Sequence, residues 1–281
     1  MRLFRFGPLG TEKPGVFIHE KYYDLSTEIK DFDSEFFERG GMENLREILK
    51  TKSFPSIIPD RFACPIHRPS KIVCIGLNYK DHALEIGADF PKEPVIFLKS
   101  TTAIIGPYDD IRIPRGSIKT DWEVELALVI GKKASYIDEK DAMDYIAGYC
   151  LHNDISEREF QLERGGTWDK GKGCDTFAPI GPFLVSPDEI KEVHQLRLWL
   201  KVNGIMMQDG STSNLIFNIP FLISYISQFM TLLPGDIVST GTPAGVGLGM
   251  KPPLYLKPGD LVELGIDGIG NSFQRIIAFS K

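Results

Sequence analysis

The sequence predicts a mostly β protein of the α+β class. Short apolar runs bounded by Gly, Pro and Asn recur along the whole chain, and helical spacing is confined to a few scattered stretches. No β-α-β unit surrounds the glycine-rich turn 239–247, so it fails as a dinucleotide fingerprint. The 281 residues are 42% hydrophobic and 25% charged, enough for one large core or a large and a small one.

In chain order, residues 3–6 and 15–19 read as short strands split by the turn Gly7-Pro8-Leu9-Gly10. Residues 33–49 carry helical spacing, and Gly40-Gly41 divides them into two short helices. Pro55, Pro59, Pro65 and Pro69 then mark a linker, so residues 1–68 are expected as a small N-terminal α+β domain and 69–281 as the main one. A strong strand follows at 71–77 (KIVCIGL), then a short helix at 78–86 ended by Gly87, and a strand at 94–98. Short strands are expected at 104–106 and 111–113, a long one at 122–130, and a helix at 138–149 capped by Asp138. Asn203-Gly204 marks a hairpin turn after the strand 198–202, and Pro220 sits in the first turn of a helix over 219–230. Strands at 237–240, 261–266 and 272–279 complete the chain.

The net charge of -6 and a pI near 5.5 exclude a nucleic-acid partner that needs a basic patch. Cys64, Cys74, Cys150 and Cys174 form no CxxC pair and read as small buried hydrophobes in a reducing compartment. The N-terminus lacks the apolar core of a signal peptide, and no apolar run reaches membrane-spanning length. A cytoplasmic protein with no membrane partner is expected.

Chemistry concentrates in five places. In Asp121-Trp122-Glu123-Val124-Glu125, the two glutamates share one strand face, roughly 7 Å apart. The strand's far end is apolar on both faces, so two buried carboxylates there would repel, and a divalent cation between them would offset the cost. By pattern alone, a solvated strand end is the somewhat better explanation, since Glu-x-Glu is common. Asp154, at the end of the apolar run 149–151, is a third oxygen donor or else an N-cap. His82 and Glu85 lie three apart on one helix face, as an oriented base or a surface ion pair. The segment 165–175 (GGTWDKGKGCD) lacks the glycine order of a phosphate loop and reads as a mobile loop presenting Lys172 to an anion, or as plain surface. The segment 239–247 (STGTPAGVG) offers hydroxyls and N–H groups to a carboxylate, or is an ordinary turn.

The order of these motifs is more specific than any one of them. IGLNYKDHALEIG (75–87), PVIFLKS (94–100), DWEVELALVIG (121–131), NDISEREFQ (153–161), the Lys172 loop and STGTPAGVG resemble the fumarylacetoacetate hydrolase family. The resemblance runs from about Lys71 to Phe279. It implies a mixed β-sheet roll or barrel, usually dimeric, behind a small variable leader. It implies Glu123, Glu125 and Asp154 as metal ligands, and His82, Glu85 and Lys172 as catalytic residues. It also implies Arg158, Gln161, Thr242 and Lys99 as substrate contacts. An all-oxygen site suits Mg²⁺ or Mn²⁺, and Ca²⁺ less well for catalysis. The implied activity is cleavage of an acylpyruvate to pyruvate and a carboxylic acid, and the stretch 170–182 is similar to members acting on 2,4-dioxo-3-deoxy sugar acids. Oxaloacetate decarboxylation and 2-oxo-acid hydration or isomerisation use the same kind of site, and a non-catalytic 2-oxo acid binding protein is the alternative of another class.

Overall fold

The run Val124–Ile130 is apolar at every position but Glu125, and all seven side chains are buried. Such a strand is stable only when covered on both faces, each buried Leu or Ile contributing about 1.5–3 kcal/mol. The computed structural model, which describes residues 1–280, places it inside an eleven-stranded mixed sheet. Ile146–Asn153, buried throughout, pairs with it antiparallel from Val124 opposite Asn153 to Ile130 opposite Ile146. On its other side Ile237–Ser239 pairs antiparallel, then Ile72–Gly76 parallel to that, then Val95–Lys99 at the edge.

Beyond Ile146–Asn153 the sheet continues through Leu184–Val185 to Arg2–Phe6, Lys13–Ile18, Lys21–Asp24 and Ser56–Ile57, with Phe62–Ala63 also paired to Arg2–Phe6. The N-terminal strands thus extend the same sheet, and the proline-rich stretch contributes two short strands to it. A five-stranded sheet, in the order Ile205–Ser211, Arg197–Val202, Leu261–Ile266, Gly270–Ile277 and Ile111–Arg112, packs against the central strands. The large sheet has two free ends, so the sheet-rich α+β fold does not close as a barrel.

The helices are short. Ser34–Glu38 (α1) and Gly41–Thr51 (α2) part at Gly40, whose φ of 68° is left-handed. Lys80–Glu85 (α3) follows Ile72–Gly76 and ends before Gly87. Arg158–Leu162 (α4) and Asp169–Lys172 (α5) pack together, and Ile219–Ser227 (α6) is capped by the Asn218 side chain on Phe221 N at 2.9 Å. A helix expected over 138–149 is instead a 3₁₀ segment, Glu139–Tyr145, followed by the strand from Ile146. No described helix is long and apolar enough to cross a membrane. All four cysteines are free, three of them buried.

Candidate metal centre and active site

The register of the two central strands builds the site. Val124 lies opposite Asn153, and Asp154 N donates to Glu123 O at 2.9 Å one step further along. That pairing puts Asp154 beside the two glutamates although it lies about thirty residues away. One carboxylate oxygen from each of Glu123, Glu125 and Asp154 lies within 4.8 Å of the others, and all three residues are buried.

Three cations frame the carboxylates. Lys172 Nζ spans Glu123 Oε2 at 2.6 Å and Asp154 Oδ2 at 2.7 Å. Lys99 Nζ reaches Asp154 Oδ1 at 2.5 Å and Ile155 O at 3.0 Å. Arg158 Nη2 donates to Glu123 Oε1 at 2.7 Å. Burial opposes the ionisation of Asp154, but Lys172, Lys99 and His152 outweigh it and hold the carboxyl well below the usual range. Burial likewise opposes charge on Lys172, and Asp154 with Glu123 outweighs it and raises that ammonium.

Glu125 is different. Its Oε2 accepts from Ser239 Oγ and from Gly241 N at 3.1 Å. Burial first, then the charges on Asp154 and Glu123, push its carboxyl well above the ordinary range. Among the described residues Glu123 and Asp154 each pair with two cations, and no lysine or arginine pairs with Glu125. A hard divalent cation would relieve the repulsion and burial that Glu125 meets, and an all-oxygen donor set is what Mg²⁺ or Mn²⁺ takes, so the residues present fit such an ion.

A cavity of roughly 150 Å³ opens onto this cluster, lined among others by His82, Glu123, Glu125, Arg158, Gln161 and Lys172. His82 Nδ1 lies 3.1 Å from Glu85 Oε2, and Glu85 Oε1 accepts from Gly245 N at 2.8 Å. The loop 239–247 thus anchors the carboxylate that orients the imidazole.

The model for the C-terminal region of fumarylacetoacetate (FAA) hydrolases matches residues 71–277. The chain belongs to the fumarylacetoacetate hydrolase family. A Burkholderia cenocepacia chain named "Putative hydrolase" is 52% identical over 277 residues, covering 98% of both chains. Among solved structures of the fold, 5-carboxymethyl-2-hydroxymuconate delta-isomerase from Mycobacterium smegmatis is 33% identical with a TM-score of 0.80 and full coverage of both chains. Maleylpyruvate hydrolase from Sphingobium sp. SYK-6, in complex with manganese(II) and pyruvate, is 27% identical with a TM-score of 0.81, again over the whole of both chains.

In this member of the fumarylacetoacetate hydrolase family, several residues sit differently from what the motifs suggest. Lys99, expected to touch substrate, lies behind Asp154 and is not on the cavity wall. Thr242 reaches the wall, but its hydroxyl donates to Val124 O at 2.9 Å and accepts from Gln208 Nε2 at 2.8 Å, so its proton is committed. Lys172 is no mobile-loop residue. It ends α5 and is 2% exposed. Gly171 makes this possible, since a Cβ there would lie 2.5 Å from Glu157 O and 2.6 Å from Gln161 N.

Asp121 is a residue the motif reading passed over. It is fully buried and accepts from Trp122 N, Gly247 N, Leu248 N and Arg158 Nε, all within 3.0 Å. It ties the strand carrying the glutamates to the loop after residue 245 and fixes Arg158. Its position, one residue before Trp122-Glu123, is the only signal in the sequence. Ser239, the first hydroxyl of the segment 239–247 that the sequence offers to a carboxylate, bridges the Glu125 carboxylate and His152 Nδ1, the latter at 2.7 Å.

Proposed function

We propose that this enzyme is a divalent-metal-dependent hydrolase that cleaves the C3–C4 bond of a 2,4-dioxo acid, an acylpyruvate, to pyruvate and a carboxylic acid. The observation that carries the reading is a cluster of three buried carboxylates, two of which, Glu123 and Glu125, line one cavity with a histidine held by its own carboxylate. The similar maleylpyruvate hydrolase, in complex with manganese and pyruvate, supports both the ion and the product.

Glu123, Glu125 and Asp154 would hold Mg²⁺ or Mn²⁺, which supplies Lewis-acid stabilisation of the enolate that leaves when the bond breaks. His82 takes a proton from water through Nε2, the nitrogen not turned to Glu85. The oxygen of that water adds to the C4 carbonyl, and the C3–C4 electron pair departs with pyruvate. The imidazolium then returns its proton to C3. Lys172, between Glu123 and Asp154, lies where negative charge accumulates and offsets it. Arg158 and Gln161, hydrogen bonded to each other at 3.0 Å, face the substrate from α4.

A second reading is isomerisation, favoured by the similarity to the delta-isomerase. Decarboxylation of oxaloacetate and hydration of a 2-oxo acid need the same enolate stabilisation. The His82–Glu85 pair favours hydrolysis, which needs a base for water. The test is loss of enol absorbance from acylpyruvates, with oxaloacetate in parallel, under Mg²⁺, Mn²⁺ and EDTA. Metal-dependent release of pyruvate from an acylpyruvate, lost in Glu123→Ala, is expected. Saturable binding without turnover would mark a binding protein, and turnover unaffected by EDTA would remove the metal.

A further inference from the structure

The polar side chains that line the cavity are all buried, and the rest of the lining is apolar. Leu77, Ile86, Phe97, Leu162, Trp168 and Leu248 make up most of that apolar part. Ile86 is 39% and Leu162 49% exposed, so the apolar surface continues out to solvent. Trp168 is seated by design of the backbone. A Cβ at Gly76 would come within 2.3 Å of its ring, so only glycine at 76 lets the indole lie against the strand end. The other side of the seat is Phe97, with ring centroids 5.4 Å apart.

The permanent cations of the lining, Lys172 and Arg158, are both already ion-paired. Lys172 is taken by Glu123 and Asp154, and its Nζ lies 5.0 Å from the centroid of the Phe97 ring. Arg158 uses Nε on Asp121, Nη1 on Gln161 and Nη2 on Glu123. The proton of Thr242 goes to Val124 O. A carboxylate on the far end of a substrate would lose hydration against the apolar side chains and would have to compete for lining cations already paired with carboxylates. A hydroxylated tail would find the Gln161 amide and little else.

We infer that the substrate is a 2-oxo acid whose tail is apolar, alkyl or aryl, and that Trp168 on its Gly76 seat is the specificity-determining wall. The inference rests on the 2-oxo acid reading of the site above. It selects against dicarboxylates such as maleylpyruvate and against polyhydroxylated dioxo acids.

The experiment is calorimetric binding to the Mn²⁺-loaded protein of 2-oxohexanoate and 2-oxoglutarate, which share the 2-oxo acid head and differ in tail. Cleavage of hexanoylpyruvate, maleylpyruvate and a polyhydroxylated 2,4-dioxo acid is followed in parallel. The inference expects 2-oxohexanoate to bind about tenfold or more tightly than 2-oxoglutarate, and hexanoylpyruvate to have the highest kcat/KM. Trp168→Arg, which puts a cation in the wall, should move the ratio about tenfold toward the carboxylated tails. Leu162→Arg, at an exposed position that the fold tolerates, should move it the same way. Equal binding, or preference for the carboxylated or hydroxylated tail, overturns the inference. Ratios unchanged in both folded variants overturn the assignment of the wall. Tight 2-oxohexanoate binding with no cleavage of any acylpyruvate would instead sink the hydrolase reading and leave this one standing.

Discussion

His82 owes its orientation to a carboxylate that is itself pinned. Glu85 accepts from Gly245 N, and Gly249 leaves room for it, since a Cβ there would lie 2.5 Å from Glu85 Cδ. An imidazole held this way presents one tautomer, with Nδ1 turned to Glu85 and Nε2 available as base. At this scale the account predicts a split. His82→Ala should lower kcat for acylpyruvate hydrolysis by about 10²–10⁴-fold and leave oxaloacetate decarboxylation nearly intact, because only hydrolysis needs an activated water. Steady-state rates for both reactions on one preparation check it, and equal losses would remove the residue's role as base. The role of Asp121 was not legible from local pattern, whereas the hydroxyls of 239–247 read as carboxylate donors and Ser239 Oγ donates to Glu125. The partners of Asp121 at Gly247 and Leu248 lie 126 and 127 residues along the chain, and no spacing rule reaches that far.

Among the elements, the strong local signals hold. Gly40 breaks the first helical stretch, Asn203-Gly204 turns the hairpin between Arg197–Val202 and Ile205–Ser211, and Asn218 with Pro220 starts α6. The expected helix at 138–149 fails for a physical reason. Its second half, Ile146-Ala147-Gly148-Tyr149, is a short apolar run that periodicity cannot distinguish from a buried strand. Tertiary packing decides it, because a Cβ at Gly148 would lie 2.5 Å from Val185 O on the neighbouring strand. The cap on α6 gives a quantitative check. Asn218→Ala removes the acceptor for Phe221 N and should cost about 1 kcal/mol of stability, a fall of about 2–4 °C in Tm. An unchanged Tm in thermal unfolding would mean that packing of the buried face of α6 alone holds its first turn. A milder effect of pH belongs here too. His194 Nε2 accepts from Ile219 N at 3.3 Å, and burial holds this imidazole below its usual value. The unfolded chain therefore takes up its proton first, and this part of the stability falls as pH drops below about 6.5. In melts at pH 7.5 and 5.5, His194→Gln should lose less Tm on acidification than the unaltered protein, and an equal loss would contradict the assignment.

For the whole molecule, the order of motifs identified the family, while the open course of the sheet and the joining of the N-terminal strands to it depend on long-range pairing that no motif encodes. Arg2–Phe6 finds Leu184–Val185 some 180 residues away, and the sheet stays open. The candidate metal centre is the product of one register: Val124 opposite Asn153 brings the acidic ends of two strands together, and a slip of one residue would turn Glu123 and Glu125 to the other face. The most direct test is a Mn²⁺ titration of metal-free protein, followed by calorimetry and by the electron paramagnetic resonance signal of free Mn²⁺, on the unaltered chain and on Asp154→Asn checked for folding by circular dichroism. One site per chain, weakened about tenfold or more in the variant, is the predicted result. No stoichiometric site, or equal affinity in a folded Asp154→Asn protein, would contradict it.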